Sequence, residues 1–196
     1  MKHIKIIIAL SIALIMFSGF WDNKTKREIR QEKFIQKQSR IKINNEALNL
    51  LYSYAPEAKT KLLKSYGYAT FTNTGVTVIF ISGESGEGLA HNNRNGQNTY
   101  MNMASGGLGL GLGAKDFISV FLFEDKKTFY SFVNSGWESN AQSDAAAKYD
   151  ENGEAHNGAI TVGKGITLYK LTQNGLLLQA TVQGTKYYKD EDLNRR

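Results

Sequence analysis

Three histidines, two groups of carboxylates, one glycine run and one row of cations are the places in this 196-residue chain where chemistry could reside. His3 lies in an apolar leader, and His91 and His156 lie in Asn/Gly-rich stretches. None has the spacing that puts two metal-binding imidazoles on one helix face. Glu84 and Glu87 flank Gly86 and read as the solvated shoulders of a turn. Asp144, Asp150, Glu151 and Glu154 lack the ligand order and central glycine of a calcium loop. Gly107, Gly109, Gly111 and Gly113 alternate with leucines, a strand period rather than a phosphate-binding loop, and no Gly-Lys-Ser/Thr or Gly-x-Ser-x-Gly accompanies them. A strand so built has a leucine face and a bare face, where another backbone, a packed helix or a ligand can approach closely. With no cysteine there is no disulfide, zinc thiolate or thiol nucleophile. No catalytic constellation emerges, so the expectation is a protein that is not an enzyme and that uses no cofactor and no metal.

The cations are better organised. Lys26, Arg30, Lys33, Lys37 and Arg40 are spaced 4, 3, 4 and 3, which places them on one stripe of a helix over residues 22–43. Five like charges on one face repel each other, and an anionic surface relieves that repulsion. Ile29, Phe34, Ile35 and Ile41 are scattered round the same helix, so there is no clean apolar face to bury in a bilayer; a solvated linker helix is the plainer reading. Charge is segregated along the chain. Residues 1–43 carry ten basic and three acidic side chains, and residues 44–196 carry fourteen and fifteen. The near-neutral remainder has no broad electrostatic footprint for nucleic acid.

The elements that must position these residues follow from periodicity. Lys2 and Lys5 precede the apolar run Ile6–Phe17, the pattern of a signal peptide. Ile6–Trp21 is shorter than the roughly 20 residues of a spanning helix. Phe17-Ser18-Gly19-Phe20 has the shape of a lipoprotein cleavage box with Phe20 in the cysteine position, and the cations after Trp21 disfavour clean export. A cleaved signal and an uncleaved anchor both stay open. Asn44 or Asn45 is expected to cap a new helix that Pro56 ends, followed by a second helix over 57–64 carrying Lys59, Lys61 and Lys64. The period then becomes two. Strands are expected over 66–72, 76–82, 88–91, 99–104, 106–113, 117–123, 159–162, 166–171 and 176–182. Residues 83–88 read as a glycine loop, 92–97 as a turn, 138–158 as polar loop, Thr172–Gly175 as a hairpin, and everything from Tyr187 as charged tail. A short helix opens at Glu124 or Asp125, turns Phe129, Phe132 and Val133 inward and ends at Gly136. The expected class is α+β, with N-terminal helices packed on a curved, mostly antiparallel sheet. The expected organisation is a leader over 1–21, a basic arm over 22–43 and a domain over 44–196.

The order of these pieces resembles the SYLF, or Ysc84, domain. Ala58-Lys59 with Leu62-Leu63 followed by Tyr66-Gly67-Tyr68-Ala69 is similar to that family's passage from helix to first strand. Gly83, Gly86 and Gly88 resemble its glycine turn, and Gly106–Ala114 followed by Asp116–Phe123 its glycine-alternating strand and the apolar strand after it. Trp137-Glu138 leading into Asp144-Ala145-Ala146-Ala147, and the run from Tyr169 to Asn194, are similar to an exported bacterial branch. The resemblance covers about residues 46–194. It lacks the Trp and Pro expected before the glycine strand, where Tyr100 stands nearby. It implies lipid binding. The expected partner is anionic phospholipid or a membrane surface in the periplasm or cell envelope, contacted through the basic stripe and Lys59, Lys61 and Lys64, with a groove beside the glycine strand. The competing expectation is a protein-interaction or structural module of the envelope, binding a protein through the 92–97 and 138–158 loops.

Overall fold

The computed structural model describes residues 25–72, 83–106, 117–138, 158–172, 175–176 and 185–195. The leader over 1–21, the strand over 76–82, the glycine strand with Gly107, Gly109, Gly111 and Gly113, most of the polar loop and the centre of the Thr172–Gly175 hairpin lie outside these residues. The chain divides into two compact units, Met1–Gln36 and Lys37–Arg196.

The described part of the first unit is the beginning of a long helix, α1 (Lys26–Tyr54). It starts on a reciprocal cap. The Glu28 amide donates to Thr25 Oγ1 at 3.3 Å, and the Thr25 amide donates to Glu28 Oε2 at 2.7 Å. This Thr-x-x-Glu box satisfies two amides that would otherwise face water at the helix end.

The second unit is α+β, with helices on a curled antiparallel half-barrel. After α1 come α2 (Ala58–Lys64), β1 (Gly67–Thr72), β2 (Gly83–Asn92), β3 (Asn98–Gly106) and β4 (Phe117–Phe123). Then follow α3 (Lys126–Ser135), β5 (Trp137–Glu138), β6 (Ala159–Gly163), β7 (Ile166–Thr172), β8 (Gly175–Leu176), β9 (Thr185–Lys189) and α4 (Glu191–Asn194). The described strands lie in the order β5-β9-β3-β2-β1-β4-β7-β6, with β8 on β7, all neighbours antiparallel.

Both faces of the sheet are covered, which is why β1 and β4 are buried nearly throughout instead of alternating with water. The inner face carries Ala69, Phe71, Phe121, Phe123, Leu168 and Tyr187 against Phe129, Phe132 and Val133 of α3. Most of the rings meet edge-on or tilted, as Phe71 and Tyr187 do at 4.6 Å between centroids, whereas Phe121 and Phe123 stack. The outer face carries Tyr68, Val120, Leu122, Tyr169 and Leu171 against Leu51, Ala55, Ala58 and Leu62. α3 begins where expected: Asp125 Oδ1 accepts from the Thr128 amide at 2.9 Å, and Gly136 ends the helix at φ 74°.

Three expectations fail. No helix begins at Asn44 or Asn45. α1 runs through them unbroken, and Asn44 is buried on the sheet, its amide donating to Tyr68 Oη at 3.4 Å and its Oδ1 accepting from Thr70 Oγ1 at 2.9 Å. Residues 83–88 are strand, not a glycine loop. Gly86 and Gly88 pair with Met103 and Met101, and a Cβ on Gly88 would collide with the Phe71 ring and lie 2.6 Å from the Thr70 carbonyl oxygen. Glycine here lets a core ring cross the strand. The charged tail is instead β9 and α4, with Tyr187 wholly buried.

Candidate functional site

The structure distributes the expected lipid-contacting residues over three settings. In the first unit Lys26 and Arg30 are exposed on α1, and Lys33 is half-buried. In the second unit Lys37 lies over the Tyr100 ring, 5.4 Å from its centroid. Arg40 does not belong to an exposed stripe at all. It is buried, and its guanidinium donates to the Met101 carbonyl at 2.7 Å, Asn102 Oδ1 at 2.9 Å and Asp190 Oδ2 at 2.9 Å. Its Nε comes within 3.6 Å of Glu87 without completing a hydrogen bond. Arg40 is therefore not the lipid-contacting residue its spacing suggested: its charge is already matched inside the fold.

Arg40 is the hub of a polar cluster that ties α1, β3 and the C-terminal segment together. Asp190 also caps α4, its Oδ1 accepting from the Leu193 amide at 2.9 Å, and its Oδ2 accepts from Asn102 at 3.3 Å. Burial pushes the Asp190 carboxyl up. The Leu193 amide, the Arg40 charge and the Asn102 amide outweigh it and hold the carboxyl below its ordinary range. Beside it, Asn194 imitates a strand: its side-chain amide donates to the Tyr100 carbonyl at 2.7 Å and its Oδ1 accepts from the Tyr100 amide at 3.1 Å. None of this was expected from the sequence, though Asp190 followed by Leu193 carried the signature of a capped turn.

Lys59, Lys61 and Lys64 are exposed on α2, with Lys59 5.9 Å from the Tyr52 ring centroid. Ala58 and Leu62 anchor that helix, and Leu63 stands between the lysines at 66% exposure. The Asn93 amide donates to the Leu62 carbonyl at 2.7 Å and so fixes the helix end from the 92–97 turn. Asn92 is buried, while residues 94–97 of that turn are exposed.

A second polar group lies inside the half-barrel. Ser119 on β4 and Tyr187 on β9 are both wholly buried, and their hydroxyls lie near each other without a well-aligned hydrogen bond. They approach closely enough for Ser119 to lower the proton affinity of the phenol, but burial dominates and raises it well above its ordinary value. Lys170 is the register partner of Ser119, so it shares the inner face, and its Nζ lies 4.2 Å from the Phe117 ring centroid. On the outer face, burial and then Glu57 push the Tyr169 phenol up to about 12. An unpaired buried hydroxyl costs about 1–3 kcal/mol, so these are the expensive positions of the fold. Among the described residues no three His, Asp or Glu side chains converge on a metal-sized site, and no described helix is long and apolar enough to cross a membrane.

No family model matches the chain. Over 162 residues, 80% of its length, the chain is 37% identical to beta cell expansion factor A of Aeromonas veronii. The match spans 59% of that relative, so the chain corresponds to a little over half of a longer protein.

Proposed function

We propose that this is a non-catalytic, exported envelope protein of the SYLF type that associates with anionic membrane surfaces. The observation that carries the reading is the row Lys26, Arg30 and Lys33 in the first unit, which α1 holds at helical spacing. Cations so spaced fall on one side of the helix, and each gains about 1 kcal/mol beside anionic lipid. Exposed Lys59, Lys61 and Lys64 with Leu63 add a second cationic surface with an apolar tip. The SYLF assignment rests on the order of motifs over residues 46–194, and the half-barrel with helices on both faces agrees with it. The signal-like leader supports a place in the periplasm or envelope.

A protein-binding module remains the competing reading, favoured by the exposed residues of the 92–97 turn. Reversing Lys26, Arg30 and Lys33 to glutamate decides between them. Loss of membrane recovery on cell fractionation supports the lipid reading. Unchanged membrane recovery with loss of a co-purifying protein overturns it.

A further inference from the structure

We infer that the C-terminal end of α2 and the 92–97 turn form one docking tip for an anionic bilayer, with Leu63 as the side chain that enters it. Buried Ala58 and Leu62 fix the side of α2 that faces the sheet, and Leu63 stands away from it at 66% exposure. The turn is tied to the same end of the helix. The Asn93 side-chain amide donates to the Leu62 carbonyl at 2.7 Å and to the Ser65 carbonyl at 3.2 Å, and the Asn93 backbone amide donates to the Tyr66 carbonyl at 3.1 Å. Arg94, next in the chain, is exposed, and its guanidinium carbon lies 5.9 Å from the Tyr66 ring centroid.

The chemistry of this tip selects a phosphate-bearing surface with an apolar layer beneath it. Among the described residues, none of Lys59, Lys61, Lys64 and Arg94 has a carboxylate within ion-pair distance. An ammonium meets a phosphate as a point charge, and a planar guanidinium meets it through two parallel hydrogen bonds. Leucine gains by leaving water. A leucine among long cationic side chains is the arrangement of an interfacial segment: the ammonium groups stay at head-group level, and the apolar side chain reaches the acyl boundary below them. A protein partner would need an apolar pocket rimmed with carboxylates, whereas an anionic bilayer offers that combination everywhere on its surface.

This tip rests on the membrane reading above, and it adds which surface meets the bilayer and which residue penetrates. The chain has no cysteine, so Leu63→Cys and Asn134→Cys each carry a single nitrobenzoxadiazole label. Asn134 is exposed on α3, which covers the opposite face of the sheet from α2. The full chain is mixed with vesicles of phosphatidylcholine alone or of equal parts phosphatidylcholine and phosphatidylglycerol. With the anionic vesicles only, the label at 63 is expected to shift to the blue and to be quenched by lipid spin-labelled on its acyl chain, while the label at 134 stays as in water. Unlabelled Leu63→Ser and Arg94→Gln, both at exposed positions, should keep the wild-type Tm and each weaken partition onto anionic vesicles by about fivefold. A label at 63 that stays as in water while the protein floats with anionic vesicles overturns the tip and leaves the membrane reading standing; no flotation at all overturns both. Full partition of Leu63→Ser overturns the tip, as does a blue shift at 63 without vesicles, the mark of a second copy on this surface.

Discussion

Arg40 offers the sharpest test of how the body is held together. Arg40→Met keeps the aliphatic stem and removes the guanidinium. Three acceptors lose their charged donor: the Met101 carbonyl, Asn102 Oδ1 and Asp190 Oδ2. Charge-assisted hydrogen bonds are worth about 1.5–3 kcal/mol each, and breaking a buried pair costs about 3–5 kcal/mol. Asp190 keeps the Leu193 and Asn102 amides and is 14% exposed, so water recovers part of the loss. The expected net cost is about 3 kcal/mol, which lowers Tm by about 6–12 °C in a domain of this size. Urea unfolding followed by tryptophan fluorescence measures it. Asp190→Asn removes the charge and keeps an oxygen for the α4 cap, so it is expected to cost about 1–2 kcal/mol, and the double mutant should show coupling of at least about 1 kcal/mol. The pH dependence has a definite sign. The folded Asp190 carboxyl lies below its unfolded value. Its contribution is therefore present above the unfolded value of about 3.9 and is lost as pH falls through the folded value. The gap between wild type and Arg40→Met should thus narrow below about pH 4. An Arg40→Met protein within about 0.5 kcal/mol of wild type at neutral pH, the range of ordinary surface substitutions, would refute the reasoning.

Other outcomes follow from the same geometry. Gly88→Ala places a methyl against the Phe71 ring and the Thr70 carbonyl and is expected to cost about 1–3 kcal/mol or more, read as a Tm drop. Asn44→Ala strands the Thr70 hydroxyl and should cost about 1–3 kcal/mol, whereas Tyr68→Phe, at the far end of a 3.4 Å bond, should cost less than about 1 kcal/mol by urea unfolding. Because burial raises the Tyr169 phenol from 10.0 to about 12, the fold loses stability as pH rises from the unfolded value through about 12, where the buried phenol must ionise. Tyr169→Phe should therefore flatten the alkaline loss of stability between those values.

What was legible in the sequence was what local pattern decides. The Phe129, Phe132, Val133 spacing between Asp125 and Gly136 specifies α3, and short β-rich or apolar runs placed β1, β4 and β7 within a residue or two. The failures come from tertiary context. Asn44 has cap chemistry, but it sits at the azimuth that faces the sheet. The series Arg40, Asn44, Ala47, Leu51 recurs at 4, 3 and 4, and that buried stripe was the signal against a break. Gly86 and Gly88 looked like a loop because single residues cannot show that Phe71 crosses the neighbouring strand. The C-terminal segment looked like tail because its lysines are conspicuous, whereas the alternation of buried Thr185 and Tyr187 with exposed Lys186 and Tyr188 marks a half-buried strand. Arg40 was grouped with the other cations by spacing alone. Only its partners on β3 and at Asp190, far along the chain, separate it from them.

The central claim is that cations on α1 and α2 bind this protein to anionic bilayers, and its most direct test is flotation of the full chain with vesicles of phosphatidylcholine alone and of equal parts phosphatidylcholine and phosphatidylglycerol. The account predicts that the protein floats with the anionic vesicles, stays behind with the neutral ones, and is released as salt rises. Equal recovery with both vesicles, or recovery that salt does not alter, would contradict it.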